Sequence, residues 1–100
     1  MVEDERLVPD PETPVALPVT DALDLHAFHP RQIPEVVADY LDEAAALGFR
    51  EVRLIHGKGI GFQRDRVRQI LATHPRVEWF ADAPLGRGHW GATVVRLRLG

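Results

Sequence analysis

The sequence predicts an α/β fold, a two-layer β-α-β-α-β-β sandwich with a mixed four-stranded sheet and two helices packed on one face. Three observations predict it. Two stretches carry apolar residues at helical spacing, four short stretches alternate or are rich in β-branched residues, and proline or glycine separates them. Strand–helix–strand succession implies parallel neighbours with right-handed crossovers, and the short last connection allows an antiparallel hairpin. At 100 residues and 45% apolar composition, the chain holds one such domain with one small core.

The first twenty residues stand apart. Pro9, Pro11, Pro14 and Pro18 are interleaved with acids and small residues, with no sustained period of 2 or 3.6. Such a segment buries too little apolar surface to offset the entropy of ordering it. Residues 1–20 are therefore expected to be a flexible, proline-rich acidic arm, and residues 21–100 the folded domain. From Ala22, Leu23 and Leu25 alternate with Asp24 and His26, a short strand with one apolar face. His29, Pro30 and Pro34 break it and open a helix, since proline is tolerated in a first helical turn. Ile33, Val36, Val37, Tyr40, Leu41, Ala44 and Ala45 make its stripe, Asp39, Asp42 and Glu43 lie on its outer face, and Gly48 stops it.

Residues 50–56 read as a second strand, and residues 57–61 (GKGIG) are too glycine-rich for either element. Phe62–Thr73 is the second helix, with Val67, Ile70 and Leu71 inward and Arg64, Arg66 and Arg68 mostly outward. Pro75 prevents its continuation. Residues 77–81 form the third strand, 84–91 a glycine-rich loop and 92–99 the fourth strand, where Thr93, Val95 and Leu97 alternate with Val94 and Arg96. Trp79, Phe80 and Trp90 suit a core or an interface equally.

The net charge of −3 conceals an asymmetry. Residues 1–43 hold eleven acids and two bases, a net of −9, whereas residues 44–100 hold ten bases and four acids, a net of +6. The arm carries five acids and one base, so the domain without it stands at +1. Positive charge gathers on the second helix, the glycine loop and the last strand, which keeps a polyanion open as partner. The absence of cysteine excludes a disulfide framework, a thiolate nucleophile and a Cys-based metal site. No apolar stretch approaches the roughly 20 residues that span a bilayer, and the acidic N-terminus is unlike a signal peptide. A cytoplasmic protein without membrane contact is the expectation.

Three clusters carry chemistry. As alternate strand residues Asp24 and His26 share a face, and His56 ends the neighbouring strand at comparable height. A carboxylate orienting one imidazole, with a second imidazole nearby, suits acid–base catalysis; polar residues on an exposed strand face are equally ordinary. The loop of Gly57, Lys58, Gly59 and Gly61 leaves a strand end and enters a helix N-terminus, where backbone N–H groups and the helix dipole favour an anion. Arg64 lies in the first turn of that helix. The plain reading is a tight turn, and the order of glycines matches neither a P-loop nor a dinucleotide fingerprint. Gly86-Arg87-Gly88-His89-Trp90-Gly91 offers a flap with a base, an imidazole and a stacking ring, or simply a hairpin loop in which Trp90 covers the sheet edge. Five histidines invite a metal, but no H-E-x-x-H occurs and His74, before Pro75, reads as a helix-end residue. Loose binding of a divalent cation such as magnesium or manganese at Asp24, assisted by phosphate oxygens, is the favoured metal reading.

Together these clusters resemble the Smr (small MutS-related) domain family over about residues 21–99. The family's LDLHG motif appears as Leu23-Asp24-Leu25-His26 followed by Ala27, and HGxGxG as His56-Gly57-Lys58-Gly59-Ile60-Gly61. The glycine-rich turn into G-x-T appears as Gly88-His89-Trp90-Gly91-Ala92-Thr93. The departures are Ala27 for the usual glycine and the inserted His89 and Trp90. The resemblance implies a stand-alone domain acting on DNA or RNA as a nicking or RNA-cleaving endonuclease. It matches Asp24 and His26 to the D-x-H catalytic pair and His56 to the second site element. Taken with the residue readings above, it puts Gly57, Lys58, Gly59, Gly61, Arg64, Arg87, His89, Trp90, Gly91 and Thr93 forward as the nucleic-acid or phosphate contacts, Arg64 and the Arg87-His89-Trp90 flap from the residues alone. In the implied mechanism Asp24 orients His26 or holds a cation. One imidazole deprotonates water or a ribose 2′-hydroxyl, the other protonates the leaving oxygen, and the loop stabilises phosphoryl charge. A different reading keeps the domain as a non-catalytic nucleic-acid or ribosome-binding module, with the arm free to contact a ribosomal or protein partner. A third takes the glycine loop for a phosphometabolite site.

Overall fold

The structure, a computed structural model of the chain, describes residues 19–57 and 62–99. The expected arm therefore lies almost wholly outside the described residues, as do Lys58, Gly59 and Gly61. Strand β1 (Ala22–Asp24), helix α1 (Ile33–Ala46), β2 (Glu51–Ile55), α2 (Phe62–Thr73), β3 (Val77–Asp82) and β4 (Ala92–Leu97) follow in the predicted order. Single 3-10 turns at Leu25–Ala27, Pro30–Gln32, Leu85–Arg87 and His89–Gly91 occupy the connections.

Helix α1 begins behind a reciprocal cap. His29 Nδ1 accepts the Arg31 N–H, and Gln32 Oε1 accepts the His29 N–H. Pro30 and Pro34 stand in first turns, where no intrahelical donor is required. The helix buries Ile33, Val37, Tyr40, Leu41 and Ala44 and ends at Gly48, whose φ of +90° suits glycine. With Val67 and Leu71 of α2 these residues share one core with Leu25, Val52, Leu54, Val77, Val95 and Leu97. Both helices thus cover the same face of the sheet. Truncating one fully enclosed side chain, such as Leu54→Ala, costs about 2–5 kcal/mol. The Tyr40 hydroxyl donates to the Thr20 carbonyl and ties down the approach to β1; burial first, then the Asp21 charge, raises its pKa to about 12.

The sheet order is β1-β2-β4-β3, with β1 and β2 parallel and β4 antiparallel to both its neighbours. The final antiparallel hairpin is as expected, but β2 and β3 are parallel without being neighbours, because β4 lies between them. The reason is burial. Residues Ala92, Thr93, Val94 and Val95 are all buried, as a central strand demands, whereas β3 exposes Glu78, Trp79 and Ala81 and takes the edge.

A second departure lies in β3. Val77 pairs with Leu97, yet Trp79 pairs with Arg96, so β3 carries a bulge between Val77 and Trp79. The extra residue inverts the alternation. Val77 and Phe80 both pack on the core, while Trp79 turns to the open face, 44% exposed beside Arg96. Among the described residues no helix is long and apolar enough to cross a membrane.

Candidate active site at the strand ends

β1 is short because its partner β2 ends opposite it, Asp24 pairing with Ile55. The chain then turns, and the Asp24 side chain caps the Leu25–Ala27 turn by accepting the His26 N–H at 2.9 Å. The same Oδ1 meets His26 Nδ1 at 2.7 Å. Asp24 and His26 therefore converge through a capped turn rather than through the strand alternation the sequence suggested. A carboxylate accepts only, so Nδ1 carries a proton, and in the neutral ring Nε2 holds the lone pair. The His26 backbone N–H first, then its ring, holds the Asp24 carboxyl below the usual carboxylate range.

The imidazole reaches across to Gly57. An added Cβ at Gly57 would lie 2.7 Å from His26 Nε2, and the residue sits at φ +85°. The positive φ favours glycine here, and any side chain would also push the His26 ring aside. The N–H groups of His56 and Gly57 both donate to the Gly91 carbonyl at 2.9 Å, docking the end of β2 onto the turn before β4. The Gly57 amide is thus engaged inside the protein and does not face an anion.

His56 is buried, 6% exposed. Its Nδ1 donates to the Gly57 carbonyl at 3.0 Å, which leaves Nε2 to accept from the Thr93 hydroxyl at 2.9 Å. Burial first, then the Arg64 and Arg68 charges, lowers the His56 pKa, against the opposing pull of the Gly57 carbonyl and Asp82. The ring is neutral, doubly bonded and turned inward. Thr93 and Gly91 are also buried, and neither faces solvent at the site.

Arg64 and Arg68, one turn apart on α2, converge on one oxygen of Asp82. Arg64 donates through Nε at 3.1 Å and Nη2 at 2.9 Å, and Arg68 through Nη2 at 2.6 Å. The Arg64 bond chiefly holds the Asp82 carboxyl below its ordinary value. Arg64 also lies 5.9 Å from the centre of the Trp90 ring, which remains 60% exposed. The flap that carries Trp90 is shaped by Gly88, at φ +111° with its missing Cβ 2.8 Å from that of Ala92, and by His89 at φ +45°. Arg87 is exposed, and its carbonyl accepts from Arg53 Nη1 at 2.7 Å.

A cleft of about 170 Å³ opens between Leu25, His26, Phe28, His56 and Gln63. A larger one of about 520 Å³ lies against α2 at Pro34, Asp65, Arg66, Gln69 and Ile70 but gathers no imidazole or nucleophile, so the chemistry belongs to the smaller. Gln63 Oε1 is buried in this region and has no hydrogen-bond donor among the described residues. Among the described residues no three of His, Asp and Glu gather as a metal-binding group. His29 is engaged in its cap, and His74 meets Asp42 at 3.2 Å across the helices. Sequence reasoning passed over Gln63, Arg68 and Asp82. The Arg64/Arg68 spacing of four, on a single helix face, was the available sign of a shared acceptor.

The family model described as Smr domain matches residues 23–98, from β1 through β4. The chain belongs to the Smr domain family. The solved Smr domain of Thermus thermophilus MutS2 superposes with a TM-score of 0.74 at 44% identity, over 79% of this chain and 99% of that one. YdaL, a stand-alone small MutS-related protein from Escherichia coli, gives 0.73 at 28% identity, over 78% of this chain and 64% of that one. Among curated relatives, the Thermus thermophilus protein named endonuclease MutS2 is 55% identical over 58 residues, 58% of this chain and 8% of that protein. Its Helicobacter pylori namesake is 36% identical over 75 residues, 75% of this chain and 10% of that protein. The Smr chain thus spans a tenth or less of the length of these relatives. Within the Smr domain, Ala27 replaces the motif's usual glycine without strain, since it is exposed and its φ is not positive.

Proposed function

We propose that this Smr domain binds nucleic acid and cleaves its phosphodiester backbone at Asp24 and His26. One observation carries the reading: Asp24 Oδ1 engages both the backbone N–H and the ring Nδ1 of His26, which in the neutral ring turns the Nε2 lone pair away from the carboxylate and toward Gly57, on a side chain that is 63% exposed. The names of the MutS2 relatives, which match over the Smr segment alone, support the same class of reaction.

In this mechanism Nε2 removes the proton from an attacking oxygen, water or a ribose 2′-hydroxyl. That oxygen bonds to phosphorus as the bond to the leaving oxygen breaks. The ionised Asp24 stabilises the imidazolium so formed. The leaving oxygen takes its proton from solvent, which the exposed His26 side chain admits. His56, neutral and doubly bonded, positions Gly57 and hence His26, and Thr93 and Gly91 support it from behind. Arg64 and Trp90 hold phosphate and base at the rim. A cation at Asp24 would take its other ligands from phosphate oxygens and water.

The test incubates the full chain with labelled single-stranded RNA, supercoiled DNA and linear duplex, with and without EDTA. The wild-type protein cuts at least one substrate, and the Asp24→Ala/His26→Ala protein, folded by circular dichroism, cuts none. Equal activity of the two proteins overturns the proposal.

A further inference from the structure

The face of the sheet away from the helices carries a feature that the cleavage site does not use. Register places Arg53 beside Val94 and Ala81, and the next row joins Glu51, Arg96 and Trp79. Rows on one strand face repeat about every 6.6 Å, so a track descends from Arg87 through Arg53 to the Arg96–Trp79 pair. Arg96 lies 5.3 Å from the centre of the Trp79 ring. Arg53 Nη1 is held by the Arg87 carbonyl at 2.7 Å, and Arg96 Nη2 approaches Glu51 at 3.5 Å. A guanidinium offers five N–H donors, and among the described residues each of these two engages one Nη, which leaves the other Nη without a protein acceptor. The pair therefore has donor capacity well beyond what the protein satisfies.

Trp79 is on this face only because of the bulge in β3. Unbroken alternation from the buried Val77 would turn it into the core. Bulges re-aim side chains in this way and gather near functional surfaces. Trp79 borders a groove of about 200 Å³ with Glu51, Pro84, Arg87 and Val94. That is below the roughly 300 Å³ at which a pocket takes a whole small molecule, and it suits one flat ring of a longer polymer. The Leu85–Arg87 and His89–Gly91 turns link the two regions. Their Arg87 end holds Arg53 on the open face, and their Gly91 end holds His56 and Gly57 at the cleft.

From this juxtaposition we infer that the open face is a second nucleic-acid contact, which takes the unpaired strand leaving the cleft, stacks one base on Trp79 and pairs its phosphates with Arg53 and Arg96. An exposed ring beside cations is the combination that holds single strands without regard to sequence. The groove is lined by two carboxylates, Glu51 and Asp82, and Asp82 is already paired with Arg64 and Arg68, so Arg53, Arg87 and Arg96 stand against Glu51 as the remaining acid and favour a polyanion. The inference rests on the proposed binding of nucleic acid and not on cleavage.

The experiment uses the cleavage-dead Asp24→Ala/His26→Ala chain with Trp90→Phe, which leaves Trp79 as the single tryptophan of the original two. Titration with oligo(U) and oligo(dT) quenches Trp79 emission. Trp79→Ala, with Trp90 retained, weakens binding about tenfold, and Trp79→Phe, which keeps a ring, by about threefold or less. Arg53→Ala/Arg96→Ala lowers the slope of log affinity against log salt by about 1.4, the value for two phosphates of a single strand. An unquenched Trp79, or a Trp79→Ala protein that binds like its parent, overturns the inference. So does a Trp79 emission change that follows protein concentration without oligonucleotide, which assigns the face to a second copy of the chain. Absence of cleavage by the wild-type chain, with the quench intact, refutes the nuclease reading and leaves this one standing.

Discussion

Gly57→Ala separates position from stability at the cleft. The substitution meets two obstacles. At φ +85° a side chain is strained, by about 1–2 kcal/mol for the left-handed region. The new Cβ also falls 2.7 Å from His26 Nε2 and 3.2 Å from Cε1, closer than such atoms come in folded proteins. Nε2 is the far end of an exposed side chain, so the ring yields at little further expense in stability. It must, however, retreat by roughly 0.7 Å to reach ordinary van der Waals distance while its other nitrogen is bound to Asp24 at 2.7 Å. A displacement near 1 Å at a reacting group lowers the rate about 100-fold. Urea unfolding should therefore show a loss of about 1–2 kcal/mol, and single-turnover cleavage a fall of about 100-fold with substrate affinity little changed. In a His26→Ala background there is no ring to displace, so Gly57→Ala should add nothing further to the rate loss. Wild-type cleavage by Gly57→Ala, or rate losses that multiply in the double variant, would show that Gly57 does not position the His26 ring.

Asp24→Asn should leave the melting temperature unchanged, because asparagine caps a turn as well as aspartate. Its cleavage rate should fall by about 100-fold or more, since an amide does not stabilise an imidazolium. Thr93→Val removes the donor to buried His56 Nε2 and should lower unfolding free energy by about 1–3 kcal/mol in urea. Stability should depend on pH through His56, whose pKa in the folded state lies below the ordinary 6.5. The unfolded chain binds the proton first as pH falls. This contribution is therefore full above 6.5 and is lost on acidification until the folded His56 protonates. His56→Gln should flatten that slope below about pH 6.5 in a series of urea melts. Gly88→Ala, at φ +111° and 2.8 Å from the Ala92 Cβ, should destabilise by about 1–3 kcal/mol and loosen Trp90, seen as a red-shifted emission.

The sequence made the elements legible because their signals are local. The stripe from Ile33 to Ala45, the proline-led start and the Gly48 stop of α1 all lie within one segment and agree with one another. The placement of β4 between β2 and β3 was not legible in this way. It depends on which strand is apolar on both faces, and the adjacency rule spoke for β3. The orientation of Trp79 was hidden by a one-residue bulge, which leaves no mark in the residue types of VEWFA. At the site, Asp24 and His26 could be paired from their spacing, but the capped turn that joins them requires β1 to end at Asp24. The inward turn of His56 was invisible for another reason. Its partners, the Gly57 carbonyl and the Thr93 hydroxyl, come together only when β4 docks beside β2. Asp82 likewise finds Arg64 and Arg68 only across the α2–β3 contact.

Cleavage of one labelled substrate by the wild-type chain and by His26→Ala, compared under single-turnover conditions at matched folding, is the most direct measure of the account. The wild-type protein should cut the strand, and loss of this one imidazole should abolish cutting while oligonucleotide affinity stays within about threefold. Cutting by His26→Ala at the wild-type rate would contradict this.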